Sequence, residues 1–202
     1  MRNRNALRIL IGVFCLLSLC VGMKEAAAAD YQELRAANGG RIAQAQRFIT
    51  TVKPAVIFTF GGLSKAEPLD EILTEMQRQG MHGTFFVTER EIQRNGDNIA
   101  RIVAAGQDLG IGVRPEEGAD FDAYCAQIER IQTALRTRWG VETNVVRQMS
   151  GAEEEAIGEA VSAMGCVLVS QSVNIVQSKH KDAQTAEELM PQLFGRWTTS
   201  LN

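Results

Sequence analysis

The sequence predicts an α/β fold built on a mainly parallel sheet, and three observations predict it. From Pro54 onward, short apolar runs and amphipathic stretches alternate at least four times. Strands and helices alternating at this spacing build parallel sheets with right-handed crossovers. The first of the apolar runs is continuous, as suits a strand buried on both faces. Gly80, Gly106 and Gly165 each end an amphipathic stretch, where a helix stop is expected. Periodicity alone leaves an open doubly wound sheet and a barrel as alternatives.

The elements follow in order. Residues 30–53 read as a helical lead-in, with Leu34, Ala37, Ile42, Ala45, Phe48 and Ile49 on one rough face and an interruption at Asn38-Gly39-Gly40. Ala55 to Phe60 is the first strand. Leu69, Ile72, Leu73 and Met76 recur at helical spacing. Thr84 to Val87 is the second strand, and Glu89 to Ala105 a single helix. Leu109 to Val113 is the third strand, followed by a long helix from Phe121 to about Arg138. Asn144 to Val146 is a fourth strand, Glu153 to Met164 a helix, and Cys166 to Val169 a fifth strand. Val173 to Val176 suits a sixth strand and Ala186 to Leu193 a last short helix. Glu153-Glu154-Glu155 fits a helix N-terminus, where negative charge is favourable.

The first 29 residues stand apart. Arg2, Arg4 and Arg8 precede an uncharged apolar run from Ile9 to Met23, and Ala26 to Ala29 supply small residues before Asp30. This is the pattern of a signal peptide, cleaved near Ala29. The alternative is an uncleaved N-terminal anchor, but the run would span only roughly 22 Å of a ~30 Å hydrocarbon core. A lipoprotein signal fits less well, because Leu19 precedes Cys20. Beyond residue 29 the chain carries 17 basic and 23 acidic residues. An acidic domain without a basic run is a poor nucleic-acid binder. Cys125 and Cys166 remain after cleavage; two separately buried thiols are expected rather than a disulfide.

Three segments carry a family resemblance. Thr59-Phe60-Gly61-Gly62-Leu63 ends the first strand where the NodB-homology polysaccharide deacetylases (carbohydrate esterase family 4) have Thr-Phe-Asp-Asp-Gly. Gly80-Met81-His82-Gly83-Thr84-Phe85-Phe86-Val87 is similar to the family's helix stop and Thr-Phe-Phe-Val strand. Ile99 to Gly110 resembles its Ile-Ala-x-x-Gly-His-Glu-Ile-Gly segment. In order and spacing these cover about residues 54–180. The resemblance implies a distorted (β/α) barrel of the glycoside hydrolase/deacetylase type, over 54–202, with its site at the C-terminal ends of the strands. It also implies that the barrel is incomplete at the C-terminus, since the family continues past the point where Asn202 stands. An unpaired edge would then call for a protein partner to complete the sheet.

The same resemblance locates the chemistry. Family members hold zinc or another divalent metal with one Asp and two His, and a second Asp acts as base towards the metal-bound water. In this chain the base position falls on Gly61 and the Asp-ligand position on Gly62. The His-x-x-x-His pair falls on Gly112 and Glu116, and Arg-Pro-Pro-Tyr-Gly becomes Arg147-Gln148-Met149-Ser150-Gly151. A later Asp is replaced around Gln171, and the final Leu-x-His has no counterpart. The chain's two histidines, His82 and His180, lie too far apart in the pattern to rebuild the pair. His82 is expected on a turn at the opposite end of the barrel, and His180 in a polar loop.

The sequence therefore predicts no bound metal or other cofactor and no catalytic residues. Arg147, Arg114, Gln148 and Gln171 are the candidate ligand-binding residues, in a mouth enlarged by the glycines. Met149 is expected to pack. Arg147 and Arg114 suit either an internal ion pair or a ligand contact, and Asn174 either lines the site or bonds within its loop. The expected function is a non-catalytic glycan-binding or scaffold role, secreted, periplasmic or in the cell envelope. The expected partner is a cell-envelope glycan, with membrane contact only through an uncleaved N-terminal segment. Two alternatives stand beside it: a divergent active deacetylase relying on Glu116, Asp108 and Arg147, and a partner-dependent fragment with an assembly role.

Overall fold

The computed structural model describes residues 31–48, 56–62 and 66–172. Residues 31–38 form helix α1. Strand β1 (Phe58–Gly61) leads to α2 (Ala66–Gln79), β2 (Gly83–Val87), α3 (Glu89–Arg94), α4 (Gly96–Ala104) and β3 (Asp108–Val113). Helix α5 (Phe121–Trp139), β4 (Val145–Gln148), α6 (Glu155–Ala163) and β5 (Val167–Leu168) complete the order. The five strands form one sheet in the order β1-β2-β3-β4-β5. Every pair is parallel. A parallel sheet whose spatial order equals its chain order never reverses direction. With right-handed crossovers, such a sheet carries its helices on one face, as the wall of a (β/α) barrel does.

Register assigns the two faces. Phe60, Phe85 and Leu109 lie side by side, as do Val87, Ile111 and Val146. These residues point to the helices and join one apolar core with Leu69, Leu73 and Met76 of α2, Ile99 and Ile102 of α4, and Ile128, Ile131 and Leu135 of α5. Phe60 stacks on Phe85 with ring centroids 4.4 Å apart. The alternate residues, Thr59 and Gly61, Thr84 and Phe86, Gly110 and Gly112, and Arg147, face the other way. Phe86 is 1% exposed yet stands outside the helix-side core.

Local chemistry explains the helix ends. Thr88 caps α3 with a full capping box: its hydroxyl accepts from the Glu91 N–H, and Glu91 Oε2 accepts from the Thr88 N–H. Asp120 caps α5, and Gly140 closes it in the left-handed conformation at φ 68°. The single helix expected over 89–105 is instead two. Asn95 ends α3 and opens α4 at φ −124°, ψ 34°, because Asn-Gly is a weak helix pair and the Asn95 backbone serves both ends.

Two further expectations are corrected. Strand β1 is not buried on both faces: it starts at Phe58, and Val56 and Ile57 are 55% and 53% exposed. Among the described residues it pairs on one side only. Residues 41–48 of the lead-in are not helical. After the Gly39-Gly40 turn the chain runs along α6 and pairs parallel beside β5, through Gln46 N–H to the Leu168 carbonyl (2.9 Å) and Ser170 N–H to the Gln46 carbonyl (2.9 Å). Ala43 N–H bonds the Gly158 carbonyl at 3.0 Å, where a side chain on Gly158 would collide with Ile42. Tyr31 donates to Glu129, Arg35 pairs with Glu159, and Arg47 with Glu153. The edge of β5 is thus covered by the chain's own residues.

The expected sixth strand (173–176) and last helix (186–193) lie outside the described residues, as do residues 1–30. No helix among the described residues is long and apolar enough to cross a membrane.

Candidate functional site

The C-terminal ends of the strands bring Gly61 and Gly62, Thr88, Gly112 to Glu116, Arg147 to Met149, and Gln171 to one end of the sheet. Arg147 is the polar centre of its inner face. It lies opposite Gly112 in register. Its Nη1 donates to Thr59 Oγ1 at 3.3 Å and its Nη2 to Gln171 Oε1 at 2.5 Å. The guanidinium carbon stands 5.8 Å from the centre of the Phe86 ring, within cation–π range. Among the described residues no carboxylate forms a salt bridge with it. Burial pushes the Arg147 pKa below its ordinary value. Both of these partners are neutral, so among the described residues the positive charge is hydrogen-bonded but has no paired carboxylate.

The mouth is not enlarged as expected. Met149 follows Arg147 on the inward alternation, its backbone N–H bonded to the Val113 carbonyl at 2.9 Å. A Cβ on Gly61 would lie 3.0 Å from Met149 Cε and 3.8 Å from Arg147 Nη1. A Cβ on Gly112 would lie 3.0 Å from Met149 Sδ, 3.1 Å from its Cγ and 3.1 Å from Thr88 Cγ2. The thioether therefore fills the space that the two glycines open. Sequence reasoning gave Met149 a packing role but not this location. No periodicity encodes it, because it depends on where one flexible side chain turns.

Gly62 takes φ 91°, and a Cβ there would lie 3.6 Å from Glu91 Oε1. Glu91 is a buried carboxylate at this end of the sheet that the sequence reading did not single out. The Thr-x-x-Glu capping spacing was the available signal.

The other candidates separate. Arg114 lines a cavity of about 240 Å³ with Thr88, Glu89, Arg90, Gln93, Gly112, Glu116 and Gln127, a lining that does not include Arg147. Its backbone N–H bonds Gln127 Oε1. Glu116 turns towards α5, accepting from Gln127 Nε2 at 3.3 Å, while its N–H bonds the Tyr124 hydroxyl. Gln148 points to the helix side and is consumed by its own loop. It donates to the Ser150 and Ala152 carbonyls and accepts from the Glu154 N–H. Its side chain is thus engaged in the loop. Asp108 begins β3 opposite Thr84, four residues and ~13 Å of strand before Gly112. It therefore does not meet Glu116. His82 sits on the turn before β2, its Nδ1 3.2 Å from the Gly106 carbonyl. His180 and Asn174 lie outside the described residues. Cys125 and Cys166 are free.

A metal does not fit these side chains. Three of the four positions in question hold glycine, the fourth holds a carboxylate turned to Gln127, and the intervening space holds a thioether beside a guanidinium. Hydrolytic zinc sites use three nitrogen, oxygen or thiolate donors around one open position. Among the described residues no three His, Cys, Asp or Glu side chains cluster closely enough to hold an ion.

Known structures share this fold. A carbohydrate esterase family 4 pseudoenzyme from Bacillus anthracis, BA3943, superposes with TM-score 0.60 at 16% identity, over 69% of this chain and 50% of that one. The Bc1960 peptidoglycan N-acetylglucosamine deacetylase gives TM-score 0.60 at 19% identity, over 77% and 70%. The peptidoglycan deacetylase PdaC from Bacillus subtilis gives 0.54 at 18%, over 70% and 69%. This chain spans about half the length of the pseudoenzyme structures it matches. No curated protein sequence matches it closely enough to count as a relative. The sequence model of the polysaccharide deacetylases matches residues 49–169. With that match over most of the described sheet, and the sequential parallel strands it covers, the chain belongs to the polysaccharide deacetylase family.

Proposed function

We propose that this chain is an exported, non-catalytic member of its family that binds or organises a cell-envelope glycan. The observation that carries the reading is the occupation of the reaction centre. Glycine stands at the base position (61), at the Asp-ligand position (62) and at the first His position (112), and Met149 fills the space between two of them. None of these three positions supplies a side chain that could hold a metal ion or accept a proton. BA3943, of like fold, is itself a pseudoenzyme. In this reading residues 1–29 direct export, 30–53 lead into the domain, 54–202 are the deacetylase-like domain, and the protein works outside the cytoplasm.

Peptidoglycan is the favoured glycan, since Bc1960 and PdaC are peptidoglycan deacetylases. Arg147 supplies the recognition chemistry. A half-buried guanidinium held by neutral Thr59 and Gln171 keeps a positive charge at the mouth with no carboxylate paired to it among the described residues, and guanidinium grips carboxylates through paired donors. A free carboxylate or an acetamido group on the glycan or its attached peptide suits it. The divergent-enzyme alternative is weaker, because Asp108, Glu116 and Arg147 do not converge. The assembly alternative is weakened at β5, where Gln46 pairs along the edge, but not at β1, which among the described residues pairs on one side only.

Two assays test the proposal. Acetate release from acetylated chitooligomers and peptidoglycan should stay at the buffer rate; sustained turnover would overturn the non-catalytic reading. Titration of muropeptides into isotope-labelled protein should shift resonances around Arg147, and Arg147→Ala should abolish the shifts with the fold intact. No shifts at millimolar ligand, or shifts confined to the His82 end, would overturn the binding reading.

A further inference from the structure

We infer that Met149 is what closes this end of the sheet to a metal ion, so that restoring the family's ligand residues alone does not recreate a metal site. The inference deepens the non-catalytic reading and rests on it. Three observations on the inner face support it.

Met149 reaches across β3 to β1. Its Sδ and Cγ stand 3.0 and 3.1 Å from where a Gly112 Cβ would be, and its Cε stands 3.0 Å from where a Gly61 Cβ would be. These distances are tighter than ordinary carbon contacts, so Met149 must give by a few tenths of an ångström for a Cβ at 112, and by more for a longer side chain. The two contacts differ in kind. At Gly61 only the terminal methyl intrudes, and it can swing aside. At Gly112 the intruding atoms are the middle of the side chain, tied to a backbone fixed by the Met149 N–H bond to Val113. An imidazole at 112 therefore requires Met149 to change rotamer, whereas a Cβ at 61 requires only its methyl to turn.

The second observation is the register. Arg147 lies opposite Gly112 on the same face as Met149, so an unbranched thioether two residues on extends over both glycines. Methionine adapts to irregular gaps of this kind. The third is electrostatic. The Arg147 guanidinium borders the same space, and a cation there opposes a second cation unless carboxylates intervene.

A double-substitution cycle reads the packing without any metal. Gly112→Ala should lower the melting temperature clearly in the natural background. It should do so much less in Met149→Ala, leaving only the Thr88 contact to relieve. Equal losses in both backgrounds would overturn the inference. A second arm uses zinc alone. Gly62→Asp/Gly112→His/Glu116→His should retain little zinc on equilibrium dialysis. Adding Met149→Ala should tighten binding at least about tenfold. Equal zinc affinity with and without Met149, or none in either folded variant, would overturn it. Zinc retained by the unsubstituted protein would instead defeat the non-catalytic reading, so the two failures are distinguishable.

Discussion

The two faces of the sheet have been treated differently. On the helix side, Phe85, Val87, Leu109, Ile111, Val113 and Val146 are all buried in one apolar core. On the inner side, glycines at 61, 110 and 112 alternate with Thr59, Phe86 and Arg147. The helix side carries the burial that makes the fold stable, and it is what the family match and the structural likeness report. The inner side carries the groups on which chemistry depends. Fold and function are separable in this way because activity needs a few placed donors, whereas stability is spread over many contacts.

The contrast predicts effects of unequal size. Ile111→Ala, on the helix face of the central strand, should remove about 2–5 kcal/mol of stability, measured by chemical denaturation. A loss below ~1 kcal/mol would mean that the core is less tightly packed than its burial implies.

The inner face is not slack throughout. A Cβ on Gly110 would lie 2.5 Å from the Phe86 ring, and a rigid ring has no methyl end to swing aside. Gly110→Ala should therefore destabilise by roughly 1–3 kcal/mol, although alanine replaces glycine in a strand. A neutral or stabilising result would show that Phe86 is free to move, and that the inner face is loose from end to end rather than only near the mouth.

The smallest effect concerns charge. Burial raises the Cys125 thiol to about 12, while on the inner face burial lowers Arg147. In each case desolvation disfavours the charged form. A thiol whose pKa is higher in the folded state contributes stability that is complete below its unfolded pKa, near 8.5. That contribution is lost as pH rises through the folded value. Tyr31, raised first by burial and then by its hydrogen bond to Glu129, drives the same alkaline loss. Cys125→Ala should thus cost only about 1 kcal/mol at neutral pH, and should flatten part of the stability decline between about pH 9 and 12. Unchanged alkaline unfolding would remove Cys125 from this account.

Legibility followed the range of the interactions. Strands β2 and β3 and helix α5 were readable because apolar runs and the 3–4 spacing of Tyr124, Ile128, Ile131 and Leu135 act locally. The glycines at 61, 62 and 112 were readable directly, because glycine has no side chain to misplace. What escaped was non-local. Gln46 beside Val169 is a pairing across more than a hundred residues, with no period to announce it. The break at Asn95-Gly96 hid within an otherwise helical pattern. The opposite fates of Gln148 and Arg147, one residue apart, follow from strand alternation, which assigns one to the helix side and the other inward. Met149 was legible as a packing residue, but its place over Gly61 and Gly112 required the register of three strands.

The most direct test of the central claim is the zinc content of the purified chain, equilibrated with micromolar zinc and then dialysed against metal-free buffer. With glycine at 61, 62 and 112 and Met149 between two of them, the account predicts far less than one zinc per chain. About one tightly held zinc per chain, lost on Glu116→Gln, would contradict it, since a site of that affinity needs three or more protein donors at this end of the sheet.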